Sequence, residues 1–144
     1  MTFELARWSD DGRPTMTLPL RVAGYDVDVA GVVNNGVYVR WLEDLRTGFM
    51  ARWLSFEECL RRGLAPTLVR LQVEYRAALR MGDAVEGRLW FAEVGGASAL
   101  IETEIYRSGD GRVCAHALQT VCFVDQRTGR PVRIPPELRS AIAP

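Results

Sequence analysis

Two aspartates and two asparagines stand on either side of a glycine turn in the first third of the chain. Asp26 and Asp28 precede Gly31, and Asn34 and Asn35 follow it at the start of an amphipathic segment. The N-terminus of a helix has free N–H groups and the positive end of the helix dipole, which together stabilise an oxyanion. A carboxylate beside that point could attack an acyl carbonyl or activate water. The segment therefore predicts an acid–base site, although spacing alone does not choose between Asp26 and Asp28.

The flanking segments predict a strand before this turn and a helix after it. Residues 15–26 show strand-like alternation, with an apolar face made by Leu18, Leu20 and Val22. Residues 35–53 change to helical spacing, with an apolar face made by Tyr38, Trp41, Leu42, Leu45, Phe49 and Trp53. Arg40 and Asp44 are spaced to pair across one turn of this helix.

The rest of the chain predicts one short helix and four more strands. Ser55 and Glu58 form a capping box, so a helix should run to about Arg62. Alternating apolar residues then mark four strands: Val69, Leu71, Val73 and Tyr75; Val85, Gly87, Leu89 and Phe91; Ala99, Ile101, Thr103 and Ile105; and residues 113–124. An antiparallel five-stranded sheet wrapped around the long central helix would bury these faces. The predicted fold class is therefore α+β, in a single domain over residues 1–144.

This order and these residues resemble the hot-dog-fold thioesterases. Those enzymes carry an Asp-x-Asp-x-x-Gly turn before a long helix, here Asp26 to Gly31, and the helix start around Asn35 and Tyr38 is similar to that of the long-chain acyl-CoA and acyl-ACP members. Further similarities lie at Tyr75 to Asp83 and at Asp125 to Pro131. The resemblance implies an acyl-CoA thioesterase, or as a close variant an acyl-ACP thioesterase, that needs no cofactor.

The resemblance also implies a role for individual residues. It selects Asp28 as the nucleophile or general base and the backbone N–H at Asn35 as the oxyanion donor. Substrate contacts are expected at Gly31, Val32, Asn35, Tyr38 and Glu43. The candidates for binding the phosphates of CoA are Arg70, Arg76, Arg80, Arg107 and Arg112, of which Arg76 is placed among the substrate contacts.

Most of these residues also have an alternative interpretation, in which they have a structural role and no catalytic or binding one. Asp28 could be a turn or capping residue, Asn35 an N-cap, and Tyr38 part of the core. Glu43 could be solvated or face a partner's site, and Arg76 could simply be a solvated cation.

Two other functions compete with hydrolysis. A hot-dog hydratase or dehydratase needs a histidine near the helix start, where this chain has Val32, and His116 is its only histidine. That histidine lies inside the last strand, where a core or interface role is expected. A non-catalytic acyl-CoA-binding module is the second competitor, and Asp28 argues against it.

Composition limits the partners and the compartment that are expected. Eighteen cationic residues balance eighteen anionic ones, so general electrostatic binding to nucleic acid is not implied. Cys59, Cys114 and Cys122 show no paired spacing, and with one histidine they provide no metal site. Neither a signal peptide over Met1–Trp8 nor a membrane span is expected, so we expect a cytoplasmic protein.

The protein is also expected to be a homodimer or homotetramer. A small sheet around one helix leaves its edge strands unpaired, and proteins seldom leave such edges unprotected. In the family that the chain resembles, two sheets commonly join edge to edge, with the acyl pocket at their junction.

Overall fold

The computed structural model describes residues 3–143, and it has an α+β architecture in which one sheet packs against a long helix. Met1, Thr2 and Pro144, which the single-domain and signal-peptide expectations include, lie outside the described residues. The strands are β1 (Arg7–Ser9), β2 (Thr15–Leu20), β3 (Leu64–Tyr75), β4 (Val85–Val94), β5 (Ser98–Arg107) and β6 (Arg112–Asp125). The helices are α1 (Asn35–Met50), α2 (Phe56–Arg61) and α3 (Pro136–Ile142).

The sheet is antiparallel and has the strand order β1-β2-β4-β5-β6-β3. It therefore has six strands where five were predicted. The additional strand is β1, which lies before the first predicted strand and pairs with β2. Because β1 is only three residues long, it carries no alternation that a sequence pattern could reveal.

The apolar face of α1 lies against the inner face of the sheet and forms the core. Trp41, Leu42, Leu45 and Phe49 are fully buried, together with Met16 and Leu18 of β2. The alternation predicted for β4 and β5 is confirmed, since all eight of the inward-facing residues named above for these two strands are buried. This layer gives α1 a fixed position, and its N-terminus carries the predicted site.

The two segments next to the core strands differ from their predictions. The strand predicted to reach Asp26 ends at Leu20, and a 3₁₀ turn covers Gly24–Asp26. The long helix ends at Met50 rather than Trp53, and a turn leads into α2.

A β-bulge changes which side chains of β3 face the core. The register with β6 shifts between Leu68 and Arg70, so Val69 becomes 58% exposed although alternation placed it inside. Leu71 and Val73, beyond the bulge, are half-buried as predicted, whereas Tyr75 at the end of the strand is 42% exposed. One extra residue in a strand exchanges the inward-facing and outward-facing positions on its two sides. The sequence does not show where this extra residue lies.

The sheet has two edges of very different length. β1 closes one edge with three residues, whereas β3 presents twelve residues at the other and pairs with β6 on one side only. Within residues 3–143, no element covers the outer side of β3.

Candidate active site

Asp28 lies in a tight loop that the structure holds through the carboxylate itself. Its Oδ1 accepts hydrogen bonds from the N–H groups of Ala30 at 2.9 Å and Val32 at 3.4 Å. The backbone closes the same loop, since Asp28 N–H donates to the carbonyl of Val32 and Gly31 N–H donates to that of Asp28. Gly31 has a φ of +79°, in the left-handed region that favours glycine.

The second carboxylate oxygen of Asp28 is unpaired within the described residues. Within residues 3–143, Oδ2 takes part in no hydrogen bond or salt bridge, and the residue is exposed. Both interpretations of Asp28 are therefore compatible with the geometry, because one oxygen shapes the turn and the other remains available.

The start of α1 presents a free N–H group beside this loop. Asn34, rather than Asn35, is the N-cap, and its side chain accepts from Gly36 N–H at 2.9 Å. Asn35 is the first helical residue, and no hydrogen bond from its N–H to another described residue is found. The hydroxyl of Tyr75 donates to the carbonyl of Asn35 at 3.1 Å and ties this turn to the end of β3. The helix start thus offers the donor that an oxyanion requires.

Asp26 supports this arrangement from inside the protein. It is 1% exposed, and its carboxylate accepts from Ala23 N–H at 2.8 Å and from the guanidinium of Arg40 at 2.9 Å. Its carbonyl accepts from Asn34 N–H at 2.9 Å. From the sequence, Asp26 is a second candidate base and Arg40 is spaced to pair with Asp44. The structure shows instead that Arg40 neutralises Asp26, which joins the Asp28 loop to the N-cap.

Four of the predicted substrate contacts line one open cavity of about 310 Å³. They are Val32, Asn35, Tyr38 and Arg76. Asp28 and Gly31 do not line this cavity and lie in the loop that leads to Val32. Tyr38 is buried and packs edge to face against Trp41 and Tyr75. Burial raises the pKa of Tyr38 to about 12, so its phenol stays protonated at neutral pH.

Glu43 lies away from these residues, along α1. It lines a second cavity of about 250 Å³ whose other walls are mainly apolar and come from α1, α2 and the sheet. Arg46 lines the same cavity and donates to Gln119, which in turn donates to Thr103 at 3.0 Å. Gln119 and Thr103 are fully buried, and burial lowers the pKa of Arg46. In a single chain four of the predicted contacts therefore line one cavity, Glu43 lines another, and Gly31 lines neither.

The predicted cation Arg76 is already paired. Its Nε donates to Glu74 at 2.8 Å, and the guanidinium lowers the pKa of that carboxyl. A different arginine is near the Asp28 loop. Arg80 forms an isolated β-bridge with Val32, a pairing between distant segments that residue spacing does not reveal.

His116 lies away from the helix start. Its neighbours Ala115 and Ala117 are buried under α1, so the imidazole between them points to the opposite face of the sheet, where Nε2 contacts Glu102 at 2.8 Å. It does not line the cavity beside Asn35.

Neither a metal centre nor a membrane-spanning helix is found in the described chain. No group of three His, Cys, Asp or Glu side chains among residues 3–143 is placed to hold a metal ion. Over the same residues, every helix is too short or too polar to cross a bilayer.

Comparison with known proteins identifies the family. The model of the thioesterase-like superfamily matches residues 22–142, which include the Asp28 loop, α1 and all strands from β3 onward. The chain belongs to this superfamily. The hot-dog thioesterase resemblance and the α+β hot-dog fold predicted from the sequence are thereby confirmed, apart from the additional strand β1.

Individual members show the same relationship over nearly the full chain. The long-chain acyl-CoA thioesterase FadM of Escherichia coli is 27% identical to this chain, and the alignment covers 88% of this chain and 96% of FadM. The chloroplastic acyl-acyl carrier protein thioesterase ATL3 of Arabidopsis thaliana is 28% identical over 84% of this chain and 64% of its own. The crystal structure of YbaW, a probable thioesterase from Escherichia coli, superposes with a TM-score of 0.74 at 26% identity, covering 88% of this chain and 94% of that one.

Proposed function

We propose that this superfamily member is an acyl-CoA thioesterase that hydrolyses its substrate to a free acid and CoA, with Asp28 as the catalytic carboxylate. The observation that carries the proposal is that the two oxygens of this carboxylate have different surroundings. One oxygen is fixed by two backbone N–H groups and the other has no partner among residues 3–143, in the loop that leads to the start of α1. The relatives named as thioesterases support the reaction class.

The chemistry needs few groups because a thiolate leaves readily. In one route Asp28 accepts a proton from water as the water attacks the thioester carbonyl. In the other Asp28 attacks the carbonyl itself, the thiolate leaves, and water hydrolyses the resulting anhydride. In both routes the free N–H of Asn35 would stabilise the negative charge on the carbonyl oxygen.

We also propose that the active protein is a homodimer, or a tetramer built from such dimers. The twelve-residue edge of β3 carries exposed Val69 and Tyr75 and is open to pairing with a second copy. The cavity beside Asn35 is at the lower end of the roughly 300–1,000 Å³ usual for ligand sites, so a second chain could complete it. In such a dimer Glu43 would be available to the partner's site.

The protein is proposed to act in the cytoplasm. Cys59 and Cys114 are buried, and all three cysteines are free thiols. Free thiols are typical of a reducing compartment.

Hydrolysis is tested by measuring thiol release from acyl-CoAs of graded chain length by the wild type and Asp28→Asn. The amide oxygen can still accept from Ala30 and Val32 N–H, so the turn should persist while activity falls by about 10²-fold or more. Acyl-ACP substrates assayed in parallel identify the carrier. Binding of acyl-CoA without thiol release by the wild type would instead support the non-catalytic module.

A further inference from the structure

The connection between β3 and β4 brings one arginine against the Asp28 loop. Arg80 forms a β-bridge with Val32, and its Nη1 lies 4.0 Å from where a Cβ on Gly31 would be. Asp28 is three residues before that glycine. A cation therefore lies at the rim of the proposed site, on a segment far from it in sequence.

The backbone of Arg80 is held firmly while its side chain remains exposed. Its N–H donates to Asp83 Oδ2 at 2.8 Å, and its carbonyl accepts from Asp83 N–H at 3.1 Å. Gly82, with a φ of +91°, allows this tight turn. The side chain is thus anchored at a fixed point but is free to bind a ligand.

Charge pairing distinguishes Arg80 from nearby arginines. Arg76 pairs with Glu74 at 2.8 Å, Arg107 with Asp110 at 2.7 Å, and Arg40 with Asp26 at 2.9 Å. Arg80 forms no salt bridge with any residue from 3 to 143. An arginine that is positioned by the fold but lacks an acidic partner can bind an anionic ligand without first breaking an ion pair.

The proposed substrate supplies an anion of suitable type. The thioester of CoA and that of an acyl carrier protein are both attached to a pantetheine arm that ends in a phosphate. A guanidinium presents paired N–H donors that match phosphate oxygens. Val29, in the Asp28 loop, and Met81, next to Arg80, expose apolar side chains that could contact the arm.

We propose that Arg80 binds the phosphate of the pantetheine-linked carrier, and so recognises the carrier rather than the acyl group. This proposal rests on the proposed thioesterase function. It assigns the phosphate contact to Arg80 in place of Arg76, which is already neutralised.

The test compares one acyl group on three thiols: pantetheine, phosphopantetheine and CoA. Wild type, Arg80→Gln and the control Arg133→Gln are assayed with each. Arg133 is a suitable control because it is exposed and forms no salt bridge within the described chain. It is also distant from Arg80, since the N–H of the adjacent Ile134 donates to the carbonyl of Gly96, beyond the opposite end of β4. For Arg80→Gln we expect kcat/KM to fall by about tenfold with both phosphorylated thioesters, mainly through KM. The pantetheine thioester and the Arg133→Gln control should change little.

The outcomes separate this proposal from the proposed function. Equal losses on phosphopantetheine and CoA would support the assignment to the shared phosphate. A loss on CoA alone would overturn it, because only the nucleotide phosphates of CoA would then be involved. An equal loss on pantetheine, or no loss on any substrate, would overturn the role of Arg80 while leaving hydrolysis by the wild type intact. Loss of thiol release in the wild type itself would be a failure of the proposed function.

Discussion

Arg40, in the second turn of α1, donates to the buried carboxylate of Asp26 across 2.9 Å. Because Asp26 also accepts from Asn34 and Ala23 N–H, this ion pair joins three segments at the point where the helix begins. The two aspartates that looked equivalent in the sequence therefore have different environments. Asp26 is 1% exposed and paired with Arg40, whereas Asp28 is exposed and one of its oxygens has no partner among residues 3–143.

Asp26→Asn should lower stability more than Asp28→Asn does. It leaves Arg40 without its counter-charge and weakens a buried hydrogen-bond cluster, so we expect a loss of about 1–3 kcal/mol in the free energy of unfolding. Asp28→Asn, at an exposed position, should stay within about 0.5 kcal/mol of the wild type. Urea denaturation measures both. A stable Asp26→Asn variant with no activity would reverse the assignment of the two aspartates.

The stability of the protein should fall at high pH because of Tyr38. Its pKa is raised to about 12 in the folded protein, against about 10 in an unfolded chain. Unfolding then releases a proton between these values, so stability declines as pH rises from about 10 to 12, by about 2 kcal/mol in all. Denaturation curves at several pH values should show this decline, and Tyr38→Phe should show a smaller one. Identical pH dependence in the two proteins would contradict the assignment.

His116→Ala should affect stability rather than turnover. The imidazole contacts Glu102 on the sheet face opposite α1, so its loss should cost about 0.5–1 kcal/mol. We expect kcat/KM to remain close to that of the wild type. Abolished turnover with an unchanged melting temperature would instead point to a histidine mechanism.

Val69→Glu should weaken the proposed dimer. Val69 is 58% exposed on the free edge of β3, and a charge there opposes strand pairing. Light scattering at micromolar concentration should show a smaller assembly and a parallel fall in activity. Leu5→Glu is the matched control, since Leu5 is 62% exposed but precedes the opposite edge strand. Dissociation by Leu5→Glu alone would place the interface at β1.

Much of the fold follows from local pattern. The apolar spacing of α1, the alternation along β4 and β5 and the Ser55 cap are properties of neighbouring residues, and the structure contains each of them. The additional strand and the bulge at Val69 depend on pairing between strands, so no periodicity revealed them.

The sequence by itself was sufficient to determine the family, the order of most elements and the presence of an aspartate–glycine turn before a helix. Those features depend on residue types and on spacings of a few residues, which can be read without knowing how distant segments pack. Only the tertiary structure decided that Asp26 is buried with Arg40, that Glu43 lines a separate cavity, and that Arg80 rather than Arg76 is the unpaired arginine beside Asp28. These relationships join residues from 14 to more than 40 positions apart, and they arise because packing α1 against the sheet brings such segments into contact.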